Sequence, residues 1–208
     1  MKDRFRLSGL LVVVGLWMGV ASMSAAQGKA ASGPAFDCAQ AGTGAVVRLL
    51  CTDPELAALD QTMANTYAQA LARAQNEHPP TLRAEQRGWI KGRDDCWKAQ
   101  DVRACVVDTY RLRSVELQAR YRLVASTGSA VWVCEGNPAN EVVVTYFDTQ
   151  PPSLVAERGD QTSLMLQQPA ASGTWYVGRN ESLREHQGQA LVVWGYGAPE
   201  MRCVLRKP

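Results

Sequence analysis

Six cysteines divide this 208-residue chain into two unlike halves. Cys38, Cys51, Cys96 and Cys105 lie in a stretch with helical periodicity, whereas Cys134 and Cys203 bracket a stretch that alternates like β-sheet. An even cysteine count behind an export signal reads as a disulfide framework, not as reactive thiols. Six cysteines allow many pairings, and the spacing favours local ones: Cys38 with Cys51, and Cys96 with Cys105 across the turn of a helical hairpin. A Cys134–Cys203 bond would close the alternating stretch end to end. The expectation is α+β in separate domains, a disulfide-stapled helical hairpin or bundle followed by a small antiparallel sheet.

The export signal occupies residues 1–26. It has a basic start (Lys2, Arg4, Arg6), an apolar core at residues 10–20, and small residues Ser24, Ala25 and Ala26 at a cut site. The core is shorter than the roughly 20 residues a membrane helix needs. No cysteine follows directly on it to accept a lipid. The expected mature chain starts near Gln27, carries no stable membrane anchor, and resides in the periplasm or is secreted.

Of 22 basic and 20 acidic residues, cleavage removes three and one, leaving 19 of each. A neutral mature chain argues against nucleic-acid binding, which leans on a strong basic excess. From residue 127 onward there are 6 basic and 8 acidic residues, a mild bias towards a cationic partner.

Residues 27–35 form a small-residue leader, and residues 36–124 form the helical half. A short helix is expected over residues 43–50. Asp53-Pro54-Glu55 then starts a long one, with aspartate capping free N–H groups and proline where no N–H is needed. Leu56, Leu59, Met63, Tyr67, Ala70, Leu71 and Ala74 recur at steps of three and four, giving one apolar stripe that ends at Pro79-Pro80. A second helix over residues 81–97 turns Leu82, Trp89 and Ile90 inward. A third, capped by Asp101, turns Val102, Cys105, Val106, Leu112 and Val115 inward. The charged run Arg83, Glu85, Arg87, Lys91, Arg93, Asp94, Asp95 reads as a solvated helix face with intrahelical ion pairs.

Small residues 126–129 are expected to link the halves, and residues 130–206 form the second. Val131 and Val133, Val142, Val144 and Tyr146, Leu164 and Leu166, and Leu191 and Val193 fit short strands with one buried face. Turn signals at regular intervals separate them, as in a small antiparallel barrel or sandwich.

Chemistry is sparse. The histidines, His78 and His186, lie in different halves. There is no zinc-protease motif, nucleophile elbow or phosphate-binding glycine loop, so no cofactor or metal is expected and binding is the better class than catalysis. A hydrolase using Glu85 with Asp94 or Asp95 is a further reading.

Both halves nevertheless resemble known families. Phe36-Asp37-Cys38, the run from Cys51 to Asp60, Leu82 to Trp89 (with Gln86-Arg87-Gly88-Trp89) and Arg93-Asp94-Asp95-Cys96 resemble the LprI-type lysozyme-inhibitor N-terminal domain. Val133-Cys134, Val144 to Phe147, Leu164 and Leu166, Ser172-Gly173-Thr174-Trp175-Tyr176, His186 to Ala190 and Cys203 resemble the MliC/PliC inhibitors of c-type lysozyme. This second resemblance implies a small β-barrel with a disulfide joining its ends. The missing lipid-acceptor cysteine points to the free PliC form over the lipid-anchored MliC form.

What the resemblance implies is a protein partner, c-type lysozyme, which cuts glycan with two carboxylates across a cleft. Ser172 would enter that cleft. Gly173 would let the tip approach closely, and Tyr176 belongs to the same motif, either as a contact or as a packed strand aromatic. Read without the family, Ser172-Gly173 is a turn. The family's second motif resembles Lys-Gly-x-x-Ala; aligned on Ala190, His186 stands at the lysine position and Gly188 falls one place late, with Gln187 between them. An imidazole supplies no permanent charge, so weaker inhibition that tightens as pH falls is expected. The alternative is an envelope scaffold or peptidoglycan-associated binding protein without inhibitory activity.

Overall fold

The computed structural model describes residues 33–76 and 80–207, so the expected export signal, residues 27–32, His78 and Pro79 lie outside the described residues. Four helices come first: α1 (Ala45–Thr52), α2 (Pro54–Arg73), α3 (Thr81–Asp94) and α4 (Val102–Arg120). Eight strands follow: β1 (Ser126–Cys134), β2 (Glu141–Phe147), β3 (Ser153–Arg158), β4 (Gln161–Gln168), β5 (Thr174–Val177), β6 (Glu181–His186), β7 (Gln189–Trp194) and β8 (Met201–Leu205). No helix among the described residues is long and apolar enough to cross a membrane.

The helix starts follow from their caps. Asp53 accepts from the backbone N–H groups of Glu55 (2.9 Å) and Leu56 (3.2 Å), with Pro54 in the first turn. Asp101 accepts from Ala104 N–H at 2.9 Å and starts α4. Arg103 on α4 reaches back to Asp53 (2.8 Å) and Glu55, tying the two helix starts together. The disulfides pair Cys38 with Cys51, Cys96 with Cys105 and Cys134 with Cys203, and no described cysteine is free.

The helical core is Val46, Leu50, Leu56, Met63, Ala70, Leu82, Cys96, Val106, Tyr110 and Leu117. At its centre lies a polar knot. The Tyr110 hydroxyl donates to Asp60 (2.6 Å), and the Arg93 guanidinium donates to that hydroxyl (2.8 Å) and to Asp94 (2.8 and 3.0 Å). Trp89 packs edge-on against Tyr110, with ring centroids 5.1 Å apart, and Asp60 also accepts from Ala35 N–H, holding the leader. Arg93 is therefore buried, not on a solvated face, and Glu85 pairs across helices with Arg120 and Arg113 on α4. Ile90 and Leu112, expected inward, are 38% and 47% exposed. Gln86 and Arg113 take the inward positions at these helix faces, bonded to each other at 3.0 Å.

The strands form a closed meander in which each pairs antiparallel with the next and β8 pairs back to β1. Cys134 and Cys203 stand directly opposite each other on β1 and β8, so their bond fixes the closing seam. It constrains a 69-residue separation, worth about 4 kcal/mol if chain entropy dominates. β1 begins at Ser126, so the small residues expected as a linker pair with β2 instead.

The inward set is Trp132, Cys134, Val142, Val144, Leu154, Ala156, Met165, Tyr176, Leu183, Ala190, Val192, Trp194 and Cys203. This confirms the expected face of β2 but reverses it on β1, β4 and β7. Val131, Val133, Leu164, Leu166, Leu191 and Val193 lie on the outer face, only partly covered. Apolar residues occupy both faces there, so alternation alone does not reveal which one closes inward. Helix α4 packs along the outside of β3 and β4. Its Asp108, Arg111 and Leu112 lie by Gln150 and Pro151, and its C-terminal end lies by Val155, Glu157 and Thr162. The first turns of α4 consequently project past the β2–β3 connection.

Two phenols, Tyr110 buried and Tyr146 partly buried, give the fold a pH signature. Burial, reinforced by the bond to Asp60, pushes Tyr110 well above its ordinary value of 10.0; burial and the bond to Glu185 do the same to Tyr146. The unfolded chain releases these protons first, so stability is fully present below about pH 10 and declines as pH rises beyond it. Denaturant midpoints measured at about pH 8 and about pH 11 should fall with pH, and the decline should be shallower in Tyr110→Phe and Tyr146→Phe; equal midpoints would contradict the assignment.

Candidate functional site

In an eight-stranded meander the turns β2–β3, β4–β5 and β6–β7 share one end of the barrel. The first of these lies beside α4. The other two carry the residues singled out by sequence. The β4–β5 connection bears Ser172 and Gly173, both exposed, and the β6–β7 turn bears Gln187 and Gly188, directly after His186. Gln187 (φ 49°) and Gly188 (φ 77°) both take the left-handed conformation that a two-residue hairpin turn requires.

The two tips touch. Gly173 adopts φ 66°, and a Cβ on it would lie 2.0 Å from the Glu185 carbonyl oxygen and 3.2 Å from the His186 Cβ. Glycine is thus needed twice, for its backbone conformation and for the absence of a side chain. The register continues the contact inward, pairing Thr174 with Glu185 across β5 and β6. The Thr174 hydroxyl donates to one oxygen of the Glu185 carboxylate, and the Tyr146 hydroxyl donates to the other at 2.8 Å. Around these groups is a depression of about 390 Å³ in the barrel mouth, lined in part by Trp132, Tyr146, His186 and Leu205.

Among the described residues, the side chains of Ser172, His186 and Gln187 have no hydrogen-bond partner, and all three are exposed. A hydroxyl, an imidazole and an amide at neighbouring tips can donate and accept without first breaking an internal bond. Tyr176 differs. At 7% exposure its ring belongs to the barrel core, 5.9 Å from that of Tyr146, and burial with the nearby Glu185 charge raises its pKa. A direct partner contact by Tyr176 is therefore corrected to packing: β5 alternates, and Tyr176 faces in while Trp175 faces out beneath the Arg184 guanidinium, 4.9 Å from its ring centroid.

Thr174, quoted only as part of the motif, and Glu185 receive no role from sequence. The signal was present, since a hairpin that puts His186 beside the β4–β5 tip also pairs Glu185 with the residue after Gly173. The alternative carboxylate pairing fails on geometry. Glu85 and Asp94 are nine positions apart on one helix, about 13 Å along its axis, and Glu85, Asp94 and Asp95 are each engaged by a cationic side chain. No group of three or more metal-ligating side chains occurs among the described residues.

Two family models match the chain in succession. Residues 38–100 match the family model "Lysozyme inhibitor LprI", and residues 132–201 match "Membrane-bound lysozyme-inhibitor of c-type lysozyme", in that order. The chain is also 29% identical over 162 residues to Lipoprotein LprI of Mycobacterium bovis and to the protein of the same name from Mycobacterium tuberculosis, covering 77% of this chain and 80% of theirs. That alignment is longer than either half, so it reaches into both. No solved structure matches significantly.

The close approach at Gly173 makes a comparison between two glycines informative. Gly173→Ala should destabilise the barrel by about 1–3 kcal/mol or displace the tip. Gly188→Ala, whose added Cβ meets open space, should bear only the smaller backbone penalty. Equal thermal shifts for the two variants would contradict the contact described.

Proposed function

We propose that this protein is an exported inhibitor of c-type lysozyme whose β4–β5 tip enters the enzyme's cleft. The observation that carries the reading is the pairing of two exposed tips with uncommitted polar side chains, in a half that matches a family described as inhibitors of that enzyme. Lysozyme needs one protonated and one ionised carboxyl group facing each other across its cleft. The Ser172 hydroxyl can donate to the ionised group and accept from the protonated one, while Gly173 keeps the tip slim at that level. His186 and Gln187 would meet the cleft's rim from the adjoining turn. With both carboxyl groups engaged, neither is free to protonate a glycosidic oxygen nor to stabilise the sugar cation.

The helical half lies along the strand face next to this end of the barrel, and the first turns of α4 project past the β2–β3 connection. A lysozyme seated on the tips would thus find a second surface within reach. Two contacts carried by one chain raise affinity beyond either alone when geometry permits both. An oxidising compartment, periplasmic or extracellular, fits the three disulfides.

Lysis of cell walls by a c-type lysozyme, followed by turbidity, tests the reading. Excess protein should suppress lysis. Ser172→Ala should weaken inhibition about tenfold or more with an unchanged melting temperature, and His186→Lys should tighten it. Full lytic activity at excess wild-type protein would reject inhibition and leave an envelope-binding role.

A further inference from the structure

The geometry points to Glu185 as the positioning residue that holds the two recognition tips in a single arrangement. This rests on the inhibitor reading for its consequence but not for its geometry. Glu185 is the residue at which both tips converge, by two contacts and by its own chain connection. Its carbonyl oxygen lies directly under Gly173, close enough that any side chain there would collide. Its carboxylate accepts from Thr174, the residue following Gly173. Its backbone leads straight into His186 and the β6–β7 turn.

The same carboxylate is anchored from behind. Its second oxygen accepts from Tyr146 on β2, a strand that is not a neighbour of β6 in the sheet. The bond crosses the barrel mouth, linking β2 to the β5–β6 hairpin through the interior. Hydrogen bonds to an ionised acceptor are stronger than neutral ones and strongly directional, and a half-buried setting increases their weight. Thr174 alone would hold the hairpin to itself; with Tyr146 it is held against the opposite wall. A tip that must fit between two carboxyl groups benefits from being fixed before binding, because ordering costs then fall on folding and not on association. Glu185 touches no partner in this account and acts only through Ser172, Gly173 and His186.

The test uses the full exported chain and two independent readouts. Amide hydrogen exchange of the free protein is compared for wild type, Glu185→Ala, Glu185→Gln and Tyr146→Phe, alongside lysozyme inhibition. Glu185→Ala should accelerate exchange at residues 172–174 and 186–188 together by about tenfold or more, leave β1, β2 and β8 protected, and weaken inhibition about tenfold. Glu185→Gln, which keeps the shape and one acceptor oxygen but loses the charge, should recover part of both effects, and Tyr146→Phe, which removes one of the two bonds, should likewise fall between wild type and Glu185→Ala. Unchanged exchange at both tips in Glu185→Ala, or loosening spread evenly over all strands, would overturn the assignment. Exchange is measured without lysozyme, so a wild-type protein that fails to inhibit would sink the inhibitor reading while leaving the positioning role to be judged on exchange alone.

Discussion

The candidate site depends on a backbone-to-backbone approach: the β4–β5 tip presses onto the Glu185 carbonyl, and only glycine at position 173 permits it. Without that contact, two hairpin turns on one barrel end would be independent loops. With it, a hydroxyl, an imidazole and an amide are presented by one surface. The barrel supplies the frame for this arrangement. Its seam is closed by Cys134 and Cys203, and its interior is filled by Trp132, Met165, Tyr176 and Leu183. Removing either would free the strand ends that set where the tips lie.

The helical half is held by a different logic. A small four-helix unit buries limited apolar area, and two local disulfides plus a buried Asp60–Tyr110–Arg93 knot compensate. A buried ion pair alone is weak evidence of stability, since desolvation offsets much of its attraction. Here the phenol and Trp89 complete the coordination, and Asp60 additionally grips the leader through Ala35. The residues of the first-half motif, Asp60, Trp89 and Arg93, thus explain one another as a packing unit.

Much of this was legible in sequence, for identifiable reasons. Helix starts at Asp53 and Asp101 carry short-range capping signals. The three disulfides follow local spacing and strand ends. The turns around Gly173 and Gly188 are marked by glycine. What escaped depended on partners far away in the chain. Arg93 reads as surface until Asp60 and Tyr110, 33 and 17 positions away, are brought to it. Leu164 and Leu166 read as core because they make the more apolar face of β4, whereas the inward face carries Ser163, whose hydroxyl donates to Glu181, 18 positions away, at 2.8 Å. Glu185 reads as an ordinary charged strand residue, and only the closure of the barrel places Tyr146 across from it. Tyr176 sits in the recognisable motif, yet alternation along β5 commits it to the interior.

The decisive experiment follows backbone amide signals of the isotope-labelled protein as a c-type lysozyme is added. Residues 172–174 and 186–188 should shift first and most strongly, at the same lysozyme concentration, while the opposite barrel end at residues 136–140 and 158–161 stays unperturbed. Shifts confined to the helices or to that opposite end, with both tips silent, would contradict binding at the tips.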